Sequence, residues 1–208
     1  ERLMGKPKKA ALAVTLLATA LALAGCGGNG DSDKDGKDRH SAKPLRPEVL
    51  FRFQKFTAAP LVDGGEVTLR SLEGKVVLLD LFGTWCPPCR RSIPILVGMY
   101  QRFHGKDLEM VGLAYENTGD GAQDRKLVAG LREEFKIPYR LAIGPRIVWD
   151  ELKAKAQAEE EIPTILLLDR QGVVRDMFQG LDPGEDAVLA DRIQKLLAEP
   201  AVPVPRAD

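Results

Sequence analysis

Two cysteines that flank two prolines, Cys86-Pro87-Pro88-Cys89, are the residues of this chain best suited to chemistry. They follow an apolar run at 76–82 that predicts a buried strand, and they open a segment with helical spacing of apolar residues. At the N-cap of such a helix, the Cys86 sulfur faces unpaired backbone N–H groups and the positive end of the helix dipole, which favour thiolate over thiol. We therefore predict that Cys86 is an attacking nucleophile and that Cys89, one turn along, resolves a mixed disulfide.

The two prolines and the preceding tryptophan complete the predicted redox loop. Pro87 and Pro88 fall at the first two helical positions, where a missing N–H disturbs no intrahelical bond and the fixed φ is already helical. Trp85 is expected to cover the dithiol and to offer a flat apolar contact to a substrate, with plain packing as the alternative. We therefore assign Trp85, Pro87 and Pro88 to a substrate-binding surface.

The cysteine pair has two other interpretations, an inert disulfide or half of a metal site. A zinc site would need two further ligands. The remaining cysteine and imidazole side chains are Cys26, His40 and His104. The first two belong to N-terminal segments outside the predicted domain, and His104 lies at a predicted helix end. The sequence therefore predicts no metal site and no cofactor.

Composition excludes several classes of protein. The chain has 208 residues, with 30 basic and 30 acidic side chains and three cysteines. A net charge of zero gives no support to a nucleic-acid-binding protein, whose basic surface would normally show in the total. Three cysteines are too few for a disulfide-stapled scaffold. The length suits one domain of ordinary size with additional segments.

The N-terminal segment has the pattern of an export signal. Lysines precede an uncharged run at 10–24, which is too short to span a hydrocarbon core that needs about 20 residues. The run ends in small residues before Cys26, and this resembles the bacterial lipobox, in which the cysteine is lipidated. We therefore predict four parts: a signal peptide at 1–25, a lipidated Cys26 with a flexible tether at 26–48, a folded domain at 49–199, and an extended tail at 200–208.

Within the domain, predicted strands and helices alternate. Strands are predicted at 67–69, 76–82, 110–115, 140–143, 164–168 and 173–178, and helices from 87 onward, at 120–136, at 148–158 and at 183–198. The last two strands form a hairpin, and a helix follows it. This order predicts an α/β sandwich with a mixed sheet.

The motifs of this domain resemble those of the thioredoxin superfamily. A strand, Trp-Cys-x-x-Cys, a helix and then Ile162-Pro163-Thr164 before another strand carry the resemblance. The segment 65–78 is similar to the opening of the membrane-tethered TlpA/ResA-like branch, and the likeness extends over about 55–198. The resemblance implies a thioredoxin-like fold, with a central mixed β-sheet flanked by helices on both faces. It also implies an extracytoplasmic thiol-disulfide oxidoreductase.

The resemblance further implies roles for four residues. Pro163 would follow a cis peptide bond and face the active-site disulfide, so that the backbone of Ile162 pairs with an extended substrate, and Thr164 would lie beside the dithiol. An ordinary trans proline that opens a strand is the alternative. Asp80 matches the buried aspartate of thioredoxins, and with a raised pKa it would exchange a proton with Cys89. The alternative for Asp80 is a satisfied or partly wet position near the sheet end.

One position departs from the TlpA/ResA-like pattern. The branch commonly places a glutamate three residues after the second cysteine, and this chain has Ser92 there. The departure puts in doubt the branch's pH behaviour and its role in cytochrome c maturation. Glu116 is a second candidate carboxylate, with an exposed loop acid as the simpler interpretation.

The sequence therefore predicts a lipid-anchored monomer that reduces protein disulfides through Cys86 and Cys89. Its substrates would be protein thiols and disulfides, and a transmembrane thiol protein would supply electrons. Two alternatives remain open. One is a Cu(I)-carrying module that binds through both thiolates. The other is a peroxiredoxin-type peroxidase, although the usual Pro-x-x-x-Thr-x-x-Cys pattern is absent from the sequence. The choice between inner and outer membrane also remains open.

Overall fold

The computed structural model describes residues 43–44, 50–181 and 184–200. The predicted signal peptide, Cys26, nearly all of the tether and all but the first residue of the predicted tail lie outside these residues. Within the described part, no helix is long and apolar enough to cross a lipid bilayer.

Strands and helices follow one another along the chain, as the sequence predicts. The strands are β1 Lys43–Pro44, β2 Phe51–Arg52, β3 Ala58–Pro60, β4 Glu66–Thr68, β5 Val76–Phe82, β6 Leu108–Ala114, β7 Arg140–Ile143, β8 Thr164–Leu168 and β9 Val173–Gln179. The helices are α1 Leu69–Leu72, α2 Pro87–Phe103, α3 Gly121–Phe135, α4 Ile147–Ala156 and α5 Asp186–Ala198.

Strand β5 lies inside a mixed sheet with the strand order β1-β9-β8-β5-β6-β7, and β2 also pairs with β9. Strands β5, β6 and β7 are parallel, whereas β8 runs antiparallel to β5 and β9 antiparallel to β8. Every residue of β5 is buried, as expected for an apolar strand that is covered on both faces. The predicted mixed sheet is confirmed.

Helices cover both faces of this sheet. Side chains of α2, α3 and α5 pack with the even-numbered apolar residues of β5 in one cluster, and we call this side the α2 face. Side chains of α1 and α4 pack with the odd-numbered residues of β5 in a second cluster, which defines the α4 face. The alternation follows from the two-residue period of a strand. The predicted arrangement of helices on both faces is confirmed.

Some element boundaries differ from the predicted ones. The strand predicted at 67–69 ends at Thr68, because the Thr68 side chain accepts the Ser71 N–H at 3.0 Å and begins α1 with a capping box. The last helix, predicted from residue 183, begins at Asp186. Strands β2 and β3, of two and three residues, carry no periodic sequence pattern and were not predicted.

Candidate active site

Cys86 occupies the N-cap of helix α2, as its position in the sequence predicts. Its backbone is extended, with φ −92° and ψ 109°, and Pro87 and Pro88 are the first two helical residues. The Cys86 sulfur accepts the backbone N–H of Cys89 at 3.1 Å. A helix N-terminus offers such free donors together with the positive end of its dipole, and both stabilise a negative sulfur.

The two cysteines are joined in a disulfide. The sulfurs are 2.10 Å apart, and the Cα atoms are 5.3 Å apart. Cys86 is 3% exposed and Cys89 1%, whereas Pro87 and Pro88 are exposed. The disulfide therefore joins two buried residues that are separated in the chain by two exposed prolines.

The Ile162–Pro163 loop lies directly beside Cys86. Its peptide bond is cis, as the resemblance implies, and the Cys86 sulfur is 3.6 Å from the Ile162 carbonyl oxygen. Ile162 is partly exposed and Pro163 is buried. The tertiary structure thus brings together two segments separated by 76 positions in the chain.

Thr164 does not have the exposure that a substrate-binding residue needs. Its side chain is fully buried, and its hydroxyl donates to the Glu161 carbonyl oxygen at 2.6 Å. A place beside the dithiol would make Thr164 a substrate-binding residue, but its buried side chain offers no surface to a substrate in this oxidised form. The Thr164 hydroxyl instead closes the turn that presents Ile162 and Pro163.

Asp80 is a buried carboxyl group on the α2 face of the sheet. It is 2% exposed, and its Oδ1 atom has no hydrogen-bond partner among the residues that the structure describes. Burial raises the pKa of Asp80 to about 7, because a low-dielectric environment disfavours the ionised form. The raised pKa agrees with a role for Asp80 in proton exchange, and that role stays a prediction.

Gly112, on the strand that pairs with Asp80, leaves room for two apolar side chains. Gly112 lies beside Asp80 in the β5–β6 register and beside Leu141 in the β6–β7 register. A Cβ atom at Gly112 would lie 2.6 Å from Leu141 Cδ2 and 2.9 Å from Phe82 Cε1. The missing side chain lets these two residues close over the strand next to the carboxyl group.

Ser92 occupies the place where the resembling branch has a glutamate. It is 1% exposed, and its hydroxyl donates to the Cys89 carbonyl oxygen at 2.8 Å. The serine is therefore satisfied within its own helix and brings no charge to Cys89.

Trp85 is the most exposed large apolar side chain in the described residues, at 54%. Its Nε1–H donates to the Tyr115 carbonyl oxygen at 3.1 Å. The indole lies against Gly83, where a Cβ atom would come within 2.9 Å of the ring and 3.1 Å of Ile162 Cδ1. Trp85 and Ile162 therefore meet at one edge of the site, so Trp85 lies beside the Ile162 loop with much of its indole open to solvent.

Glu116 is the site residue whose surroundings the sequence did not reveal. The simpler interpretation, an exposed loop acid, is wrong, because Glu116 is partly buried and both carboxylate oxygens accept hydrogen bonds from Thr84. A sequence signal existed: residues that follow neighbouring parallel strands meet at one sheet edge, and Thr84 follows β5 as Glu116 follows β6.

Comparison with known proteins places this arrangement in a family. A family model described as Redoxin matches residues 51–193. The chain belongs to the Redoxin family. The thiol-disulfide oxidoreductase ResA of Bacillus anthracis is 27% identical over 119 residues, which cover 57% of this chain and 63% of ResA. The chain therefore spans less than two thirds of the length of this relative.

Two further relatives support the same assignment. Tryparedoxin of Trypanosoma brucei brucei is 44% identical over 111 residues, which cover 52% of this chain and 71% of tryparedoxin. A Chlorobium tepidum structure described as a thiol:disulfide interchange protein DsbE has a TM-score of 0.56 and 26% identity, over 68% of this chain and 92% of that chain. The predicted thioredoxin-like fold and the predicted likeness to ResA are confirmed.

Proposed function

We propose that this member of the Redoxin family is a thiol-disulfide oxidoreductase that reduces disulfides in other proteins through Cys86 and Cys89. The observation that carries the proposal is the position of the Cys86–Cys89 disulfide, at the N-terminus of α2 and 3.6 Å from the Ile162 carbonyl oxygen. The names of ResA and of the DsbE structure support the same chemistry.

The proposed reaction begins with the reduced protein. The Cys86 thiolate attacks one sulfur of a substrate disulfide, and the other substrate sulfur leaves as a thiolate that takes up a proton. Cys89 then loses its proton and attacks the Cys86 sulfur, which releases the second substrate sulfur as a thiolate. Two electrons pass to the substrate, and the Cys86–Cys89 disulfide forms. A donor dithiol returns two electrons and closes the cycle.

Asp80 is proposed as the group that accepts the Cys89 proton. It lies on the α2 face of the sheet, the side covered by the helix that carries Cys89. Its pKa of about 7 leaves it partly ionised near neutral pH, so it can take up a proton and release it again. Ser92 contributes no charge, and Asp80 would supply, from the sheet, the carboxylate that the TlpA/ResA-like branch commonly places on the helix.

Substrate is proposed to dock as an extended segment along the Ile162 backbone. The exposed Trp85, Pro87 and Pro88 would form one side of this surface, and the partly exposed Ile162 the other. Extended peptides bind through main-chain hydrogen bonds to accessible backbone, with neighbouring side chains adding selectivity.

We also propose an extracytoplasmic location with a lipid on Cys26. The basic and apolar pattern of 1–25 supports export, and the composition of 26–48 supports a flexible tether between the lipid and the domain at 49–199. A transmembrane thiol protein would then be the electron donor. In the native host, a Cys26→Ala variant should leave the membrane fraction, and the wild-type protein should carry the added mass of a lipid. A variant that stays in the membrane fraction would contradict the anchor.

Trapping tests the activity. A Cys89→Ser variant should retain its substrate as a mixed disulfide on Cys86, and mass spectrometry of the adduct would identify the partner and the linked residue. The matched control is Cys86→Ser, which should trap far less. Absence of any Cys86 adduct, with Cys86 unreactive towards alkylating agents, would disprove the proposed function.

The direction of electron transfer is tested by measuring the reduction potential of the Cys86–Cys89 pair. A reductant should have a dithiol potential close to that of thioredoxin, about −270 mV. A potential near that of a strong oxidant, about −120 mV, would reverse the proposed direction and leave the exchange chemistry intact.

A further inference from the structure

The two residues that follow β6 form hydrogen bonds with the loop between β5 and α2. Glu116 Oε1 accepts the Thr84 backbone N–H at 2.8 Å, and Glu116 Oε2 accepts the Thr84 hydroxyl at 2.7 Å. We call this pair of hydrogen bonds the Glu116 clamp. A carboxylate that binds two donors of one residue restrains both its backbone and its side chain.

Two neighbouring bonds extend the same attachment. The Tyr115 N–H donates to the Phe82 carbonyl oxygen at 2.7 Å, and the Trp85 indole N–H donates to the Tyr115 carbonyl oxygen at 3.1 Å. Residues 115–116 thus bind the end of β5, Thr84 and Trp85 in succession. The next residue in the chain is Cys86.

Helix α2 by itself does not determine where the Cys86 sulfur lies. Cys86 is an N-cap residue with extended backbone, so its orientation depends on the direction from which the loop enters the helix. The Cys86 N–H donates to the Gly83 carbonyl oxygen at 3.2 Å, which makes this entry a tight turn around Thr84. The contact between the Cys86 sulfur and the Cys89 N–H therefore depends on a loop whose central residue is bound by Glu116.

We propose that Glu116 is a positioning residue that holds Cys86 at the N-cap of α2 and thereby keeps the Cys86 sulfur reactive. The inference rests on the proposed function in assigning a purpose to that reactivity. Glu116 takes part in no bond-making step. Its hydrogen bonds favour the thiolate by fixing its donors, whereas its negative charge opposes the thiolate, so the two contributions can be separated by mutation.

The Glu116→Gln variant separates the effect of the hydrogen bonds from the effect of the negative charge. In Glu116→Gln the amide oxygen can accept the Thr84 N–H, and the amide NH₂ can donate to the Thr84 hydroxyl, so both hydrogen bonds survive without the charge. Glu116→Ala loses both bonds. Thr84→Val keeps the backbone N–H and the side-chain shape but removes the hydroxyl. Glu133→Ala removes an exposed glutamate of α3 and is the matched control.

The experiment measures the rate at which iodoacetamide alkylates Cys86 in the reduced full chain near neutral pH, with the site located by peptide mass spectrometry. We expect Glu116→Ala to react about 10-fold more slowly than wild type, Thr84→Val about 3-fold more slowly, and Glu116→Gln at least as fast as wild type. Glu133→Ala should react like wild type. Circular dichroism would establish that each variant is folded.

Two results would overturn the proposal: a wild-type rate in folded Glu116→Ala, or a Glu116→Gln variant as slow as Glu116→Ala. If Glu116→Ala does not fold, a wild-type rate in Thr84→Val would overturn it equally. Because alkylation needs no protein substrate, this result is independent of the proposed function. An unreactive Cys86 in the wild-type protein would contradict the proposed function itself, whereas a reactive Cys86 that is indifferent to Glu116 would contradict only the positioning role.

Discussion

Two carboxyl groups are buried against opposite faces of the sheet, and their surroundings are opposite in kind. Glu151, on α4, is 4% exposed and accepts the backbone N–H groups of Gln54, Lys55 and Phe56. Asp80, on the α2 face, is 2% exposed and has an Oδ1 atom with no hydrogen-bond partner in the described part of the chain. Both residues have little exposed surface, but Glu151 has three backbone donors whereas an oxygen of Asp80 lacks a hydrogen bond.

The pKa values follow this difference. Burial by itself would raise the pKa of Glu151, but the three backbone donors and the nearby Lys155 lower it overall. For Asp80, burial raises the pKa to about 7. The contrast teaches that a buried charge with dedicated donors serves the fold, because it ties the 54–56 segment to α4. A buried acid without donors costs stability and exchanges a proton near neutral pH.

The largest expected effect concerns catalysis. It should appear in a variant of Asp80 and be absent from a variant of Glu151. Asp80→Asn should slow the release of substrate from the Cys86 mixed disulfide about 100-fold near neutral pH, because Cys89 loses its proton acceptor. Rapid-quench measurement of the mixed disulfide follows this step. Glu151→Gln should leave the step unchanged. Equal slowing in both variants, or none in Asp80→Asn, would show that the unsatisfied carboxyl has no special role.

The next effect concerns stability. Glu151→Ala should lower the free energy of unfolding by about 2.5 kcal/mol, because it leaves three backbone N–H groups of the 54–56 segment without their acceptor. Urea unfolding of the oxidised protein measures this value. Glu151→Gln retains one acceptor oxygen and should lose less. A loss below about 0.5 kcal/mol in Glu151→Ala would mean that water replaces the carboxylate without cost.

Asp80→Asn should raise the free energy of unfolding, by an amount that depends on pH. The folded pKa of Asp80 is about 7 and its ordinary value is 3.8, so wild-type stability declines as pH rises from the lower value to the higher. Asparagine cannot ionise and escapes this decline, although its amide also needs partners. We expect Asp80→Asn to be about 2 kcal/mol more stable than wild type near pH 8 and no more stable near pH 4. A gain that is equal at both values would contradict the raised pKa.

The smallest effect concerns the packing around Gly112, the residue of β6 that pairs with Asp80. Gly112→Ala places a methyl group against Leu141 and Phe82 and should cost about 1 kcal/mol of stability, measured by thermal or urea unfolding. Gly130→Ala, on α3 with open space around its Cβ position, is the matched control and should not destabilise. An unchanged stability in Gly112→Ala would show that the side chains around Gly112 are loosely packed.

Some features of the structure follow from short stretches of sequence, and others do not. The strand at 164–168, the N-cap position of Cys86 and the helical positions of Pro87 and Pro88 follow from patterns a few residues long, and the structure has them where they were predicted. The burial and the partners of Thr164 and Glu116 do not follow from such patterns, because they depend on how loops meet. The Thr164 hydroxyl bonds to Glu161, and Glu116 bonds to a residue 32 positions away.

The amino-acid sequence alone determined the class of chemistry and the order of the elements, because both depend on residue types at short spacing: two cysteines at a helix start, an apolar strand before them, and alternating periodicities. Only the tertiary structure decided how the site is assembled. It brings Ile162 to Cys86, places residues 115–116 against Thr84 and Trp85, and leaves Asp80 without a full set of partners while Glu151 has three. The physical reason is that hydrogen-bond satisfaction in a buried site depends on distant segments meeting, which residue spacing along one chain does not specify.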